Sequence, residues 1–445
     1  MRRVGCELTK GTKGSQKLTT MNRFQWVICQ FDMLRRCMSV NAIRKQMSAL
    51  PKSLDETYDR ILLSIDEIHQ PEVMKTLQAL TVTVDVLTLE EIVEILAVDL
   101  EATPPRFEPD SRLLDPRSVL SMCSSLVTAS KVIQWKYATR MKEASALRLA
   151  HASVADYLTR PNPSGPSQFH YSILSARQFM AQSCLAYLLN PEFASNSVSQ
   201  HTENRYLHPK FIHDGTLHHP QVTQRMKTYP FLPHAVRFWP MYLERKEGDP
   251  EDYLTPKTKE ILQTFFATSK LPNGGNFAAW VAMLIPSAPS NYVQNTQPLY
   301  YASSFGLTEV VRIILSTEPD IDVNALGGRA HSTALHVATY RDHIDIVRLL
   351  LEKGADPSIP NDVHESPMYW ARCNGNDEME ELLSEYGANS ISRRQIAGEL
   401  GKVFGEGESL LQRHVDEHLF TRSFRLTDSG LVPEPEQGES RSEKV

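Results

Sequence analysis

Residues 333–338 read TALHVA, and this stretch decides the fold because two other stretches repeat its pattern. They are QPLYYA at 297–302 and SPMYWA at 366–371, so the final alanines are spaced by 36 and 33 residues. A period near 33 residues is typical of a supersecondary unit that stacks on its own copies to bury a shared core. We therefore predict a short solenoid of about three repeats over residues 291–392.

Each repeat is predicted to contain two helices. After each quoted stretch comes a break, followed by a second apolar stretch with helical spacing, such as residues 346–350. The three breaks fall at Gly306, Asp342 and Gly375. Thr333 and Ser366 are typical caps of a first helix, and Gly354 and Gly387 can end the second helix in the left-handed conformation.

This pattern resembles the ankyrin repeat, whose motif T-P-L-H-x-A is nearly matched at 333–338. The resemblance gives His336 a structural role, with hydrogen bonds within and between repeats, rather than a metal-binding or catalytic one. The first and third repeats depart from the motif, with Tyr300 and Tyr369 in the histidine position and Gln297 in place of the capping threonine. Such departures are expected of terminal repeats whose outer faces meet water.

The resemblance also implies where a partner binds. Ankyrin stacks present loop tips and first-helix residues to another protein and have no chemistry of their own. The partner-binding candidates are Tyr301, Phe305, Arg329, His331, Tyr340, Arg341, Asp362, His364, Trp370 and Arg372.

Upstream of the repeats, two helix starts are marked by the spacing of a capping box. Ser53 precedes Glu56 by three residues, and Thr88 precedes Glu91 by the same distance. A third helix-length segment, 71–84, lies between the two helices that these boxes predict. β-like runs follow at 125–129, 132–137 and 147–151, before a further helix. Three helices followed by a small hairpin is the order of a winged helix.

Two stretches in this half, FQWVICQFD at 24–32 and LPKSLDETYDRIL at 50–62, resemble the segment just beyond the NTPase core of NACHT-ankyrin proteins, large fungal relatives of innate-immune receptors. The resemblance continues in order through residues 87–91, 123–127 and 149–158. The family's core implies ATP or GTP binding, but its motif G-x-x-x-x-G-K-[ST] is missing. The glycine-rich basic stretch at 10–17 has neither that spacing nor a strand before it.

The predicted fold class is mainly α: a winged-helix-like region with a small β hairpin, a helical connector and a short ankyrin-repeat solenoid. The predicted segments are a disordered N-terminus (1–22), a helix resembling the end of the NACHT module (23–50), the winged-helix-like domain (51–160), the connector (161–290), the ankyrin repeats (291–392), and a C-terminal helix with a disordered acidic tail (393–445).

Composition narrows the partners and the compartment. With 47 Lys and Arg against 53 Asp and Glu, the formal charge is -6, which gives no reason to expect a nucleic acid. The candidate recognition helix, 89–98, also carries Glu90, Glu91 and Glu94. The longest apolar run, 277–285, is far short of the ~20 residues that span a bilayer, so no membrane partner is expected. Six scattered cysteines indicate a cytoplasmic protein, with a nuclear location left open.

Two clusters could carry chemistry, and both favour a structural interpretation. The histidines at 201–234 (His201, His208, His213, His218, His219 and His234) lack any metal-ligand spacing, which favours a solvated loop. His151, Ser153 and Asp156 could suggest a catalytic triad, but no G-x-S-x-G elbow accompanies them. We expect no catalytic, cofactor or metal site.

The leading hypothesis is therefore a non-enzymatic adaptor that binds a protein partner through the ankyrin surface. The alternative is a fragment of a NACHT-class signalling NTPase whose P-loop portion lies outside this chain. The oligomeric state stays open.

Overall fold

The computed structural model describes residues 26–387. The gaps within this range are 29, 32–33, 36, 49, 52, 137–138, 161–165, 195–219, 286–292, 294 and 329–330. The predictions for 1–22 and 393–445 lie outside the described residues. Every described residue belongs to one compact unit, 1–388, and one hydrophobic cluster runs through it from Tyr58 to Leu383.

The N-terminal part is a series of short helices. After helical residues between 26 and 35 come α1 (Val40–Ser48), α2 (Leu54–Leu63), α3 (Gln70–Val82) and α4 (Leu89–Leu96). The Ser53 hydroxyl accepts a hydrogen bond from the Glu56 backbone N–H at 3.1 Å, and Thr88 with Glu91 forms the full reciprocal box. Both predicted helix starts are confirmed.

Two small antiparallel sheets follow α4. The first pairs β1 (Val98–Asp99) with β2 (Arg106–Phe107). After α5 (Ser118–Cys123), the second pairs β3 (Val127–Lys136) with β4 (Thr139–Leu149), and α6 (Ala152–Thr159) comes next. The runs predicted at 125–129 and 132–137 thus contribute to one strand. Its partner begins in a polar stretch with no β pattern of its own, and backbone pairing with β3 makes it a strand.

The α4 helix is enclosed by the fold. Of its three glutamates, Glu91 and Glu94 are buried and Glu90 is exposed. Glu94 forms an ion pair with Arg112 and accepts a hydrogen bond from the Tyr187 hydroxyl. Burial together with the Glu94 carboxylate raises the pKa of Tyr187, so the phenol stays a donor at neutral pH.

Among the described residues of the connector are six helices: α7 (Ile173–Leu188), α8 (Pro191–Ala194), α9 (Pro220–Thr228), α10 (Leu232–Leu243), α11 (Pro256–Ala267) and α12 (Gly275–Leu284). The central helix α7 is buried along most of its length and packs against α3, α10 and α11. The Thr258 hydroxyl of α11 donates to Gln178 Oε1 of α7 at 2.7 Å and accepts from Gln182 Nε2 at 2.8 Å. Helix α7 therefore joins the N-terminal helices to the connector.

Three helix pairs complete the described chain: α13 (Pro298–Ser304) with α14 (Thr308–Thr317), α15 (Ala334–Tyr340) with α16 (Ile344–Glu352), and α17 (Pro367–Asn374) with α18 (Asp377–Glu385). The first helices α13, α15 and α17 stack side by side. The breaks at Gly306, Asp342 and Gly375 all have positive φ, as the sharp turn between paired helices requires. The predicted solenoid is confirmed.

Short 3₁₀ helices lie at Glu67–His69, Pro109–Ser111, Ser124–Leu126, Ser167–Phe169, Thr268–Lys270 and Pro272–Gly274.

The outer face of the first repeat is covered by the connector. Trp280 of α12 is fully buried, with its ring 5.1 Å from that of Tyr301 and 6.3 Å from that of Phe305. The expectation that this face meets water is therefore wrong for the first repeat. Within the described residues, no helix combines the length and apolarity needed to cross a bilayer.

Candidate protein-binding surface

His336 ties the second repeat to the third. Its Nδ1 accepts from Thr333, at 2.8 Å from the hydroxyl, and its Nε2 lies 3.1 Å from the Glu365 carbonyl oxygen, to which it donates. Desolvation by burial lowers the pKa of His336 to about 4, so the ring is neutral and can accept at one nitrogen while donating from the other. The geometry gives this histidine the structural role predicted for it.

The loop tips between repeats come together. His331, before the second repeat, lies 3.1 Å from Asp362, before the third, and both side chains are partly exposed. Gly327 and Ser332 exchange two backbone hydrogen bonds of 2.8 and 2.9 Å, which form the narrow base of the first loop. His364 is exposed at the tip of the next loop. Arg329 lies outside the described residues.

An aromatic patch, defined by Tyr340, Arg341 and Trp370, lies on the first helices of the second and third repeats. The rings of Tyr340 and Trp370 meet edge to face at 4.6 Å, and the Arg341 guanidinium lies 5.7 Å from the centre of the Tyr340 ring. All three side chains are half-buried. Tyrosine, tryptophan and arginine are enriched where truncation most weakens protein complexes, because they bury a large area at little entropic cost.

Two of the candidate residues have contacts that give them a different role. Tyr301 is 4 % exposed and packs on Trp280, so its assignment to the partner surface is wrong. The reason is the preceding helix α12, whose Phe277 and Trp280 rings pack on Tyr301. Arg372 forms an ion pair with Glu380 at 3.3 Å and thereby links α17 to α18. Phe305 is half-buried beside Tyr301.

Two asparagines that we did not single out from the sequence connect neighbouring repeats. Asn374 donates to the carbonyl oxygens of Thr339 and Tyr340 at 3.2 and 3.1 Å, and Asn376 donates to the Asp342 carboxylate at 2.6 Å. The available signal was their position on either side of Gly375, where α17 ends. These bonds hold the α15 end of the aromatic patch in place.

Ser153 and His151 form a helix cap. The His151 Nδ1 lies 2.7 Å from the Ser153 hydroxyl and accepts the Ser153 backbone N–H at 3.1 Å, while the same hydroxyl lies 2.9 Å from the Tyr58 hydroxyl. Asp156 is exposed on α6. The serine hydroxyl is thus used in joining α6 to α2.

The histidine-rich stretch contributes one described residue, His234. It is buried in α10, stacks on Phe231 and lies 2.8 Å from the Tyr242 hydroxyl, so the prediction of a solvated loop is wrong for this residue. The other five histidines lie outside the described residues. In the part of the chain that the structure describes, no group of three or more His, Cys, Asp or Glu side chains is arranged to hold a metal ion.

The stacked helix pairs with their paired loop tips form ankyrin repeats toward the C-terminal end of the described chain, and these repeats support a protein-interaction role. A family model of ankyrin repeats matches residues 324–394 in three copies.

Among curated proteins, the chain is similar to the azaphilone pigments biosynthesis cluster protein L of Monascus ruber. The two are 27 % identical over 328 residues, which cover 70 % of this chain and 61 % of that protein. The aligned length exceeds the repeat region, so the similarity extends into the helical part. Shorter similarities are to alpha-latrocrustotoxin-Lt1a of Latrodectus tredecimguttatus (30 % over 126 residues, 27 % of this chain and 9 % of the toxin) and to zinc finger CCCH domain-containing protein 56 of Arabidopsis thaliana (43 % over 72 residues, 16 % and 10 %). The chain thus spans less than two thirds of the length of each.

Proposed function

We propose that this protein is a non-enzymatic, cytoplasmic adaptor that binds a protein partner through the concave side of its ankyrin repeats. The observation that carries the proposal is the aromatic patch on the stacked first helices, where the Tyr340 and Trp370 rings meet edge to face and both side chains are half-buried. A half-buried tyrosine and tryptophan held edge to face lose little freedom when a partner covers them.

The absence of enzymatic activity is part of the proposal. It is supported by the use of the triad candidates Ser153 and His151 in a helix cap. Both groups are engaged in contacts that hold the fold together.

The test uses the full chain as bait, with a double variant that removes the patch. Tyr340→Ala with Trp370→Ala is expected to weaken partner binding on the order of 30-fold or more, as the loss of a hot spot does. The matched control is Arg348→Ala with Glu352→Ala, which changes two exposed residues of the second helix α16. Partners identified by quantitative mass spectrometry are then titrated as purified proteins. A partner that binds the patch variant and the wild-type chain equally would refute the proposed surface.

The second candidate function is a NACHT-class signalling switch of which this chain is a fragment. It is favoured by the order of α2, α3 and α4 before the β3–β4 hairpin, the order of the winged-helix region in the resembled family. In addition, the Leu147 backbone N–H donates to the Leu87 carbonyl at 2.8 Å, so the hairpin is joined to the segment preceding α4.

Two measurements separate the candidates. An in-frame phosphate-binding motif in transcripts that extend upstream of Met1 would favour the switch. Saturable, magnesium-dependent ATP or GTP binding by the 445-residue chain would contradict the adaptor proposal, since it would require a nucleotide site that the sequence motifs do not predict.

A further inference from the structure

Positive charge is concentrated at the N-terminal end of the chain. Residues 1–48 contain ten Lys and Arg but two Asp and Glu, whereas the remaining residues contain 37 and 51. A chain with a net charge of -6 therefore has a strongly basic first segment. Such asymmetry indicates an interaction with an acidic surface.

Exposed apolar side chains are concentrated in the same place. Twelve large hydrophobic residues are exposed among those that the structure describes, and six of them lie between 27 and 47. These six are Val27, Ile28, Phe31, Met38, Val40 and Met47. Phe31 is 60 % exposed and Met38 is fully exposed.

The helical residues from 26 to 35 have one face on the fold and one face in solvent. Trp26 Nε1 donates to the Pro51 carbonyl oxygen, and Gln30 Nε2 donates to the Thr57 hydroxyl, both at 3.1 Å. Ile28, Phe31 and Arg35 follow each other at three- and four-residue intervals, so they lie along one face, and all three are exposed. That face combines apolar and basic side chains.

Helix α1 repeats the arrangement. Val40, Arg44 and Met47 have helical spacing and are exposed, with Lys45 exposed beside them. We call the exposed apolar and basic side chains described in this segment the basic-apolar face; they are Val27, Ile28, Phe31, Arg35, Met38, Val40, Arg44, Lys45 and Met47.

We propose that the basic-apolar face docks on an anionic membrane surface. A lipid interface accepts both kinds of side chain at once: apolar groups enter the boundary between headgroups and acyl chains, while Lys and Arg stay with the acidic headgroups. A second copy of this face would be repelled by like charge. A protein partner would need a surface that contacts the apolar side chains of this face and also places acidic groups opposite the Lys and Arg side chains between them.

This docking differs from membrane spanning, on which the expectation of no membrane partner was based. A helix that lies in the interface does not need the ~20 apolar residues of a spanning helix. The side chains of the basic-apolar face would contact the lipid directly. The aromatic patch would take no part in this docking.

The test is co-sedimentation of the full chain with vesicles. Binding is expected to vesicles of phosphatidylcholine mixed with phosphatidylserine, to be absent with pure phosphatidylcholine, and to weaken as salt is raised. Ile28→Ser with Phe31→Ser, and separately Arg44→Glu with Lys45→Glu, should each weaken binding on the order of tenfold. Circular dichroism checks that each variant keeps its helices.

Matched controls change similar residues elsewhere on the surface. Leu114→Ser removes another fully exposed apolar side chain, and Arg348→Glu reverses another exposed charge, so both should bind as the wild type does. Equal binding to both kinds of vesicle, or retention of binding by the Ile28 and Phe31 variant, would overturn the proposal. A different result would also overturn the proposal. In that result, both face variants lose binding to an acidic protein partner, while neither variant changes vesicle binding.

Discussion

His336 links two repeats only while its ring is neutral, because Nδ1 must accept from Thr333 while Nε2 donates to Glu365. Burial lowers the pKa of His336 to about 4, below its ordinary value of 6.5. The unfolded chain therefore takes up a proton at a pH where the folded chain does not. This contribution to stability is fully present above about pH 6.5 and is lost as the pH falls from 6.5 to about 4.

We expect the free energy of unfolding to fall by about 2 kcal/mol between pH 7 and pH 5 through this residue. His343, whose pKa is also lowered by burial, adds to the loss. Urea denaturation at the two pH values measures the change. The variant His336→Gln should be less stable at pH 7 but less sensitive to acid. An equal pH dependence in the variant would show that another group is responsible.

Gly328 is required by a contact as well as by its backbone. Its φ is +67°, and an added Cβ would lie 2.1 Å from Cζ of Tyr300. We expect Gly328→Ala to cost about 3 kcal/mol or more, since strain and overlap combine. Gly354→Ala is the control, with a φ of +88° and open space around the site, and should cost about 1 kcal/mol. Equal costs in thermal denaturation would contradict the role of Tyr300.

Single residues were predictable where their signal is local. Thr333 caps its helix and His336 accepts in the predicted manner, because both contacts involve residues of one motif. Tyr301 was not predictable in the same way. It occupies a partner-facing position of the motif, yet Trp280 of a helix without any repeat signal covers it.

The same distinction holds for whole elements. Helices α2 and α4 begin where the Ser53 and Thr88 caps predict, since capping is decided within four residues. Strand β4 contains a polar first half, and only its pairing with β3 makes it a strand. The ion pair and hydrogen bond of Glu94 could not be predicted from local sequence either, because its partners Arg112 and Tyr187 come from two other segments.

These partners make Arg112 a sensitive position. Its guanidinium pairs with the buried Glu94 carboxylate and lies 5.0 Å from the centre of the Phe107 ring. Arg112→Met leaves Glu94 buried without its ion pair, so we expect a loss of about 3 kcal/mol in the free energy of unfolding. Adding Glu94→Gln removes the buried charge and should recover part of that loss. A double variant no more stable than Arg112→Met would argue against charge burial as the cause.

At the scale of the whole molecule, the continuous core connects the connector to the repeats through α12. Trp280 is fully buried between Trp239 and Tyr301, with ring centres 5.4 and 5.1 Å away. The sequence predicted both neighbouring regions from their own patterns. It contained no pattern for the contact between them, because that contact depends on how two unlike segments pack.

Trp280→Ala in the full chain is expected to cost about 3–5 kcal/mol, as large core truncations do. Hydrogen exchange should speed up most in α13, which packs on α12, and least in α17, two repeats away, because solenoid contacts run between neighbours. Trp370→Ala, a change to a half-buried ring, is the control and should cost about 1 kcal/mol. Uniform acceleration along the solenoid would contradict neighbour-limited coupling.

Because α12 covers the outer face of the first repeat, further repeats can be added only on the other side of that repeat. A gene duplication that inserts another helix pair into the loop at 353–366 leaves the contact between Trp280 and Tyr301 intact. The inserted pair would pack between two other ankyrin repeats. The same insertion before Pro298 would break the contact between Trp280 and Tyr301. Among descendants of this gene, the number of repeats that follow α13 should therefore vary. The junction between α12 and α13 should stay constant.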